Sequence, residues 1–167
     1  MDIKLLICNI VFGILVIFTY VKFLGDSLKN NVTGDQLWAN IKGPYRIIYY
    51  ISMILAALSY MYFTYWIIFK RPSEDNNLLV WIGTILFFVG ACLWAPSLYY
   101  HFIKNLNKVF VYLTLGLTSI GIILLTIYLM DKGDMISKIC VSVFLYHVLI
   151  MDNIIWSIKF QQLPKIS

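Results

Sequence analysis

Residues 119–130, SIGIILLTIYLM, carry no charge and show no alternation of apolar and polar positions. A strand of a membrane barrel turns alternate residues to lipid and to a polar interior, so this stretch reads as helix instead. Extended to 108–130, the run is long enough to cross a membrane, because a helix needs ~20 mostly apolar residues to traverse a ~30 Å hydrocarbon core. Inside lipid the backbone must satisfy its own hydrogen bonds, which again selects helix.

Four more runs of this kind are present, at 3–24, 45–69, 78–100 and 138–160. Of the 167 residues 61% are hydrophobic and 13% charged, and the mean hydropathy is +0.83. So short a chain cannot hide that much apolar surface from water in a soluble core. The expected architecture is all-α: a single polytopic membrane domain over 1–167, built as a five-transmembrane-helix bundle with one short interfacial helix. The first run is long for a signal peptide and lacks an A-x-A site after it, so it is expected to be retained. Lys4 and Lys22 can snorkel from its ends.

The connections contain recognisable breakers. RPSEDNN at 71–77 carries a proline and DKGD at 131–134 a glycine, and both fit hairpins between antiparallel helices. The longest connection contains DQLWANIK, in which Asp35 is expected to cap a helical turn. Leu37, Trp38 and Ile41 would then share a face, and Gly43 and Pro44 would stop the turn. This is the expected interfacial helix.

The formal charge of +5 comes from residues scattered singly at the ends of apolar runs, which suits membrane flanks rather than nucleic acid. Five Lys and Arg lie on the amino-terminal side of the runs and eight on the other. The positive-inside rule therefore predicts an outside amino terminus and a cytoplasmic carboxyl terminus. In that topology the sequon Asn31-Val32-Thr33 faces the cytoplasm and stays unglycosylated.

Aromatic residues gather near the ends of runs, as at Tyr45, Tyr49 and Tyr50, where rings with a polar tip suit the headgroup zone. Small residues form stripes: Ser52, Ala56 and Ser59; Gly83, Gly90 and Ala91; Thr114, Thr118 and Gly121. Helices approach each other along such stripes. Pro96 is expected to loosen the end of the third run, and Asn9 to make an interhelical amide bond or join a polar centre.

That polar centre is sought in YHVLIMDNIIW, residues 146–156. At ~100° per residue, Ser142, Tyr146, Asp152 and Asn153 form one polar stripe. An aspartate turned to lipid at mid-membrane costs ~2.5–3.5 kcal/mol, so the stripe should face the bundle. On the same geometry His147 lies ~140° from Asp152. The two are not expected to pair within the helix, and Asp152 is expected to find other donors or a base such as Arg46 or Lys104.

The two histidines, His101 and His147, are far apart, and the three cysteines, Cys8, Cys92 and Cys140, lack metal-ligand spacing. No cofactor or metal is implied. G-x-x-x-x-G-K-[ST], H-E-x-x-H and G-x-S-x-G are absent, and nothing supports an enzyme. A TVGYG filter is absent, and five spans do not divide into equal inverted repeats.

In its five-span plan, size and richness in Trp and Tyr the chain resembles the tryptophan-rich sensory protein (translocator) family, which binds porphyrins and sterols. The resemblance is one of outline, since an Asn-rich third span has no counterpart in WIGTILFFVGACLWAPSLYY, and no binding residue is carried over. FFVGACLWAPSLYY and YHVLIMDNIIWSIKF resemble stretches of small multi-pass membrane proteins of algae and large DNA viruses. That likeness implies a viral or organellar membrane and no activity.

The sequence thus points first to a non-enzymatic structural or assembly component whose partners are the bilayer and a second copy or another membrane protein. The alternative is a small-molecule-binding or proton-handling protein. In it Asp152 and His147 face a crevice, with Tyr146, Asn153 and Ser142 beside them.

Overall fold

The computed structural model describes residues 1–71 and 78–163. Among these, six helices and no strand are present: α1 (Ile3–Lys29), α2 (Gly34–Leu37), α3 (Pro44–Lys70), α4 (Leu78–Lys104), α5 (Lys108–Lys132) and α6 (Met135–Gln161). All but α2 are long and apolar enough to cross a membrane. They coincide with the five predicted runs and extend beyond each of them. Local capping explains one extension: α6 starts at Met135 because the Asp134 carboxylate accepts from the Ser137 N–H at 2.7 Å. That bond holds the Asp134 carboxyl below the usual carboxylate range. The hairpin predicted at 71–77 lies outside the described residues beyond Arg71.

The α1–α3 connection departs from expectation. Thr33, not Asp35, caps α2, through a reciprocal box: Gln36 N–H donates to Thr33 Oγ1 at 3.2 Å and Thr33 N–H to Gln36 Oε1 at 2.7 Å. The helix ends at Leu37, well before Gly43. Ala39 and Asn40 adopt positive φ of 50° and 57°, which no continuing helix allows. Gly43, at φ 62°, then turns the chain into Pro44, the first residue of α3. Asp35 instead pairs with Arg46 Nη2 at 2.7 Å and Lys42 Nζ at 2.8 Å. Those two cations depress its carboxyl.

The long helices alternate in direction and adjoin in the cyclic order α1, α4, α5, α6, α3. At the amino-terminal end Asp2 caps α1, accepts from Arg71 Nη2 at 2.5 Å and donates its N–H to the Ile68 carbonyl at 2.8 Å. Asn9 is fastened across helices, accepting from Tyr60 OH at 2.6 Å, and does not join the polar residues of α6. Tyr60 also stacks on Phe87, with Phe63 and Phe144 at its edges, so this half of the molecule is filled by rings.

The closest helix pair is α4 with α5, and the small-residue stripes make it. A Cβ on Gly83 would stand 2.9 Å from the Gly121 carbonyl oxygen, and one on Gly121 would stand 2.6 Å from the Gly83 carbonyl oxygen. Gly90 is packed against Thr118 and the Thr114 carbonyl just as tightly. Backbone contact of this kind maximises dispersion where apolar surroundings offer little hydrophobic drive. The helix α4 continues through Pro96 to Lys104.

Gly90→Ala should therefore lower stability by about 1–3 kcal/mol through overpacking. Gly116→Ala, where an added Cβ meets nothing within 4 Å, should be neutral or gain up to ~1 kcal/mol of helix propensity. Equilibrium unfolding in mixed detergent micelles measures both, and equal effects would refute the glycine contact.

Candidate functional site

The carboxyl-terminal ends of α1, α4 and α6 and the starts of α3 and α5 surround a cavity of about 280 Å³. Each of the five helices contributes to it: Tyr20 and Leu24 from α1, Tyr49 and Met53 from α3, Trp94 from α4, Leu115 from α5, and His147, Asp152 and Trp156 from α6. Leu37 and Trp38 of the α1–α3 connection complete the wall. Trp156 Nε1–H donates to the Leu37 carbonyl at 3.2 Å, tying that connection to α6. Trp94 packs edge-on against Trp156 and close to Tyr20, while Trp38 meets Tyr49 edge-on. The wall is therefore mainly aromatic and aliphatic, with one carboxylate and no Lys or Arg.

The carboxylate reaches the cavity because of an unusual helical segment. From His147 to Trp156, ten residues of α6 are wound as π-helix. Bonding from i to i+5 brings residues five apart onto one face, where an α-helix would align those four apart. His147 and Asp152 are five apart, and His147 Nε2 lies 3.7 Å from Asp152 Oδ2. The expectation that they cannot meet within the helix is thus overturned, since it assumed ~100° per residue throughout. Such segments are rare and recur at functional sites. A shorter π turn, Tyr20–Leu24, supplies the two cavity residues of α1.

Two side chains of α3 complete the polar cluster. Tyr49 OH donates to Asp152 Oδ1, and Ser52 Oγ lies 2.9 Å from His147 Nδ1. Tyr49, Ser52 and Met53 are spaced i, i+3 and i+4, so one face of α3 presents all three. Tyr49 is 3% exposed and packs edge-on against His147; it is a buried site residue, not the headgroup anchor expected. Neither Arg46 nor Lys104 supplies the partner of Asp152: among the described residues the basic side chain within 4 Å of it is His147.

The predicted stripe of α6 is divided. Asp152 and His147 face the cavity, and Asn153 turns to α5, where its Nδ2 donates to Ser119 Oγ at 2.5 Å and the Leu115 carbonyl at 3.3 Å. The same amide reaches the Val148 carbonyl at 3.1 Å, bracing the π segment from its side. Tyr146 is exposed. Ser142 donates to the Lys138 carbonyl one turn back and joins neither group. Among the described residues no cluster of His, Cys, Asp or Glu is grouped to hold a metal ion.

Of the residues around the cavity, Tyr20, Trp94 and Trp156 were not singled out in the sequence, and Trp38 only as part of the interfacial helix. Their one signal was indole and phenol rings at corresponding ends of successive runs, a pattern that headgroup anchoring also produces.

Asn153→Leu should cost about 1 kcal/mol or more, by removing the bond to α5 and leaving the buried Ser119 hydroxyl without it. Ser142→Ala should stay within ~0.5 kcal/mol, because its hydroxyl bonds only inside its own helix. Reversible unfolding in mixed micelles separates the two. The chain matched no family model, no curated protein and no solved structure in comparison with them, so the geometry of this cavity carries the functional argument.

Proposed function

We propose that the protein is a multi-pass integral membrane protein that binds a small organic molecule in the cavity between its five helices. One observation carries the reading: a cavity of about 280 Å³, walled by aromatic and aliphatic side chains, holds one convergent polar cluster, Asp152, His147 and Tyr49. Small-molecule sites combine an apolar wall with a few placed polar groups in this way. The small-residue stripes that would otherwise speak for an assembly component are used within the chain, Gly83 against Gly121 and Gly90 against Thr118. The bilayer is the surrounding medium, and α2 with Trp38 lies at its interface beneath the cavity.

The excess of Lys and Arg at the carboxyl-terminal ends of α1, α4 and α6 supports an outside amino terminus and a cytoplasmic carboxyl terminus. The cavity then lies in the cytoplasmic half of the membrane. The resemblance to small membrane proteins of algae and large DNA viruses favours a viral or organellar host membrane.

Orientation is tested with a membrane-impermeant maleimide on intact cells. Lys132→Cys should be labelled from outside and Lys29→Cys only after lysis; the reverse pattern would invert the topology.

Binding is tested in phosphatidylcholine nanodiscs with three probes that share one body: 4-phenylbutylamine, 4-phenylbutan-1-ol and 5-phenylpentanoic acid. At least one should shift the ¹³C-methyl resonance of Met53 saturably, and Leu115→Trp, which fills the cavity, should abolish that shift. If none shifts Met53, or if Leu115→Trp leaves the shift intact, the cavity is not a binding site.

A further inference from the structure

Resting on that binding reading, we propose that the cavity selects a lipophilic amine in its protonated form, with Asp152 as counter-ion and the surrounding rings as its apolar and cation-π wall. The site holds a carboxylate oxygen left without a donor. An ionised carboxylate accepts at two oxygens with about four lone-pair sites. Asp152 Oδ1 receives the Tyr49 hydroxyl, whereas the nearest ion-pair atom to Oδ2 is His147 Nε2 at 3.7 Å, too far for a hydrogen bond. The side chain keeps 31% of its surface accessible where it lines the cavity. It is therefore not closed off by the protein's own donors.

His147 offers a second acceptor in one of its two neutral tautomers. Its Nδ1 is engaged with Ser52 Oγ at 2.9 Å. In the tautomer whose Nδ1–H donates to that oxygen, Nε2 carries a lone pair. Asp152 Oδ2 and His147 Nε2 then stand side by side, 3.7 Å apart, with no proton between them. A single ammonium group, which has several N–H donors and no acceptor, satisfies both at once. A neutral alcohol has one donor and leaves one acceptor unmet, and an anionic ligand meets the repulsion of Asp152.

The wall fits the same ligand. No Lys or Arg lines the cavity, so no fixed cation competes for the carboxylate. Tyr49, which bonds Asp152, stands edge-to-face with Trp38, and Trp94 and Trp156 continue the aromatic wall. Indole and phenol faces attract ammonium groups within ~6 Å, most strongly when water is excluded. The lipophilic part of the ligand occupies the space against Leu24, Met53 and Leu115.

The three probes used above decide the matter in phosphatidylcholine nanodiscs at neutral pH, where the membrane surface carries no net charge to concentrate cations. Read at the Met53 methyl resonance, 4-phenylbutylamine should bind at least tenfold more tightly than 4-phenylbutan-1-ol and 5-phenylpentanoic acid. Asp152→Asn should lower amine affinity to that of the alcohol and leave the alcohol unchanged. The wild-type comparison among probes needs no variant, so it stands even if Asp152→Asn fails to fold. An alcohol that binds as tightly as the amine, or amine affinity unaltered in a folded Asp152→Asn, overturns the amine assignment while preserving the cavity. Absence of binding by every probe overturns both.

Discussion

A carboxylate placed within a bundle of apolar helices has to be met by donors, and the architecture around Asp152 is arranged by that constraint. Burying an unpaired charge costs several kcal/mol, and leaving a carboxylate half-met costs much of that. Tyr49 from the neighbouring α3 meets one oxygen, and the π-wound part of α6 sets His147 3.7 Å from the other without bonding it. Without the π segment, residues 147 and 152 would look in different directions and His147 would stand apart from the Asp152–Tyr49 pair. The local winding of a single helix therefore sets the chemistry of the space that five helices enclose.

The two ends of the molecule divide the work. Toward the amino-terminal ends of α1, α4 and α6 the interior is filled by Phe63, Phe87, Phe144 and Tyr60, and the Asn9–Tyr60 and Asp2–Arg71 contacts lock α1 onto α3. The backbone contact of α4 with α5 holds the middle. Rings occupy that half, and the helices leave the cavity of about 280 Å³ at the other. The cavity is thus a consequence of where the large rings and the glycines are spent along each helix.

The α1–α3 connection closes the open end. Its fold depends on a capping box at Thr33, on Ala39 and Asn40 in the left-handed region, and on the Asp35 pairs with Arg46 and Lys42. Ala39 and Ile41 are buried beneath it, and Trp156 holds it from below through the Leu37 carbonyl. Leu37 and Trp38 are thereby turned into the cavity wall, so a segment that reads as an interfacial helix also lines the cavity.

The sequence by itself determined the five helices, their approximate ends and the stripes along which α4 and α5 meet. Those features follow from local composition: apolar runs without alternation, breakers between them, and glycines spaced to one face. It also marked Asp152, Asn153 and His147 as residues that an apolar helix does not carry idly. The tertiary structure alone decided their fates. Asn153 went to α5, Tyr146 to the exterior and Ser142 to its own backbone, while Asp152 and His147 came together across five residues. The physical reason is that a helix wheel assumes one winding, whereas i+5 bonding over 147–156 turns the side chains of α6 to what α3 and α5 offer. Tyr49, Ser52 and Ser119 are those offers, and no pattern within residues 146–156 can reveal them.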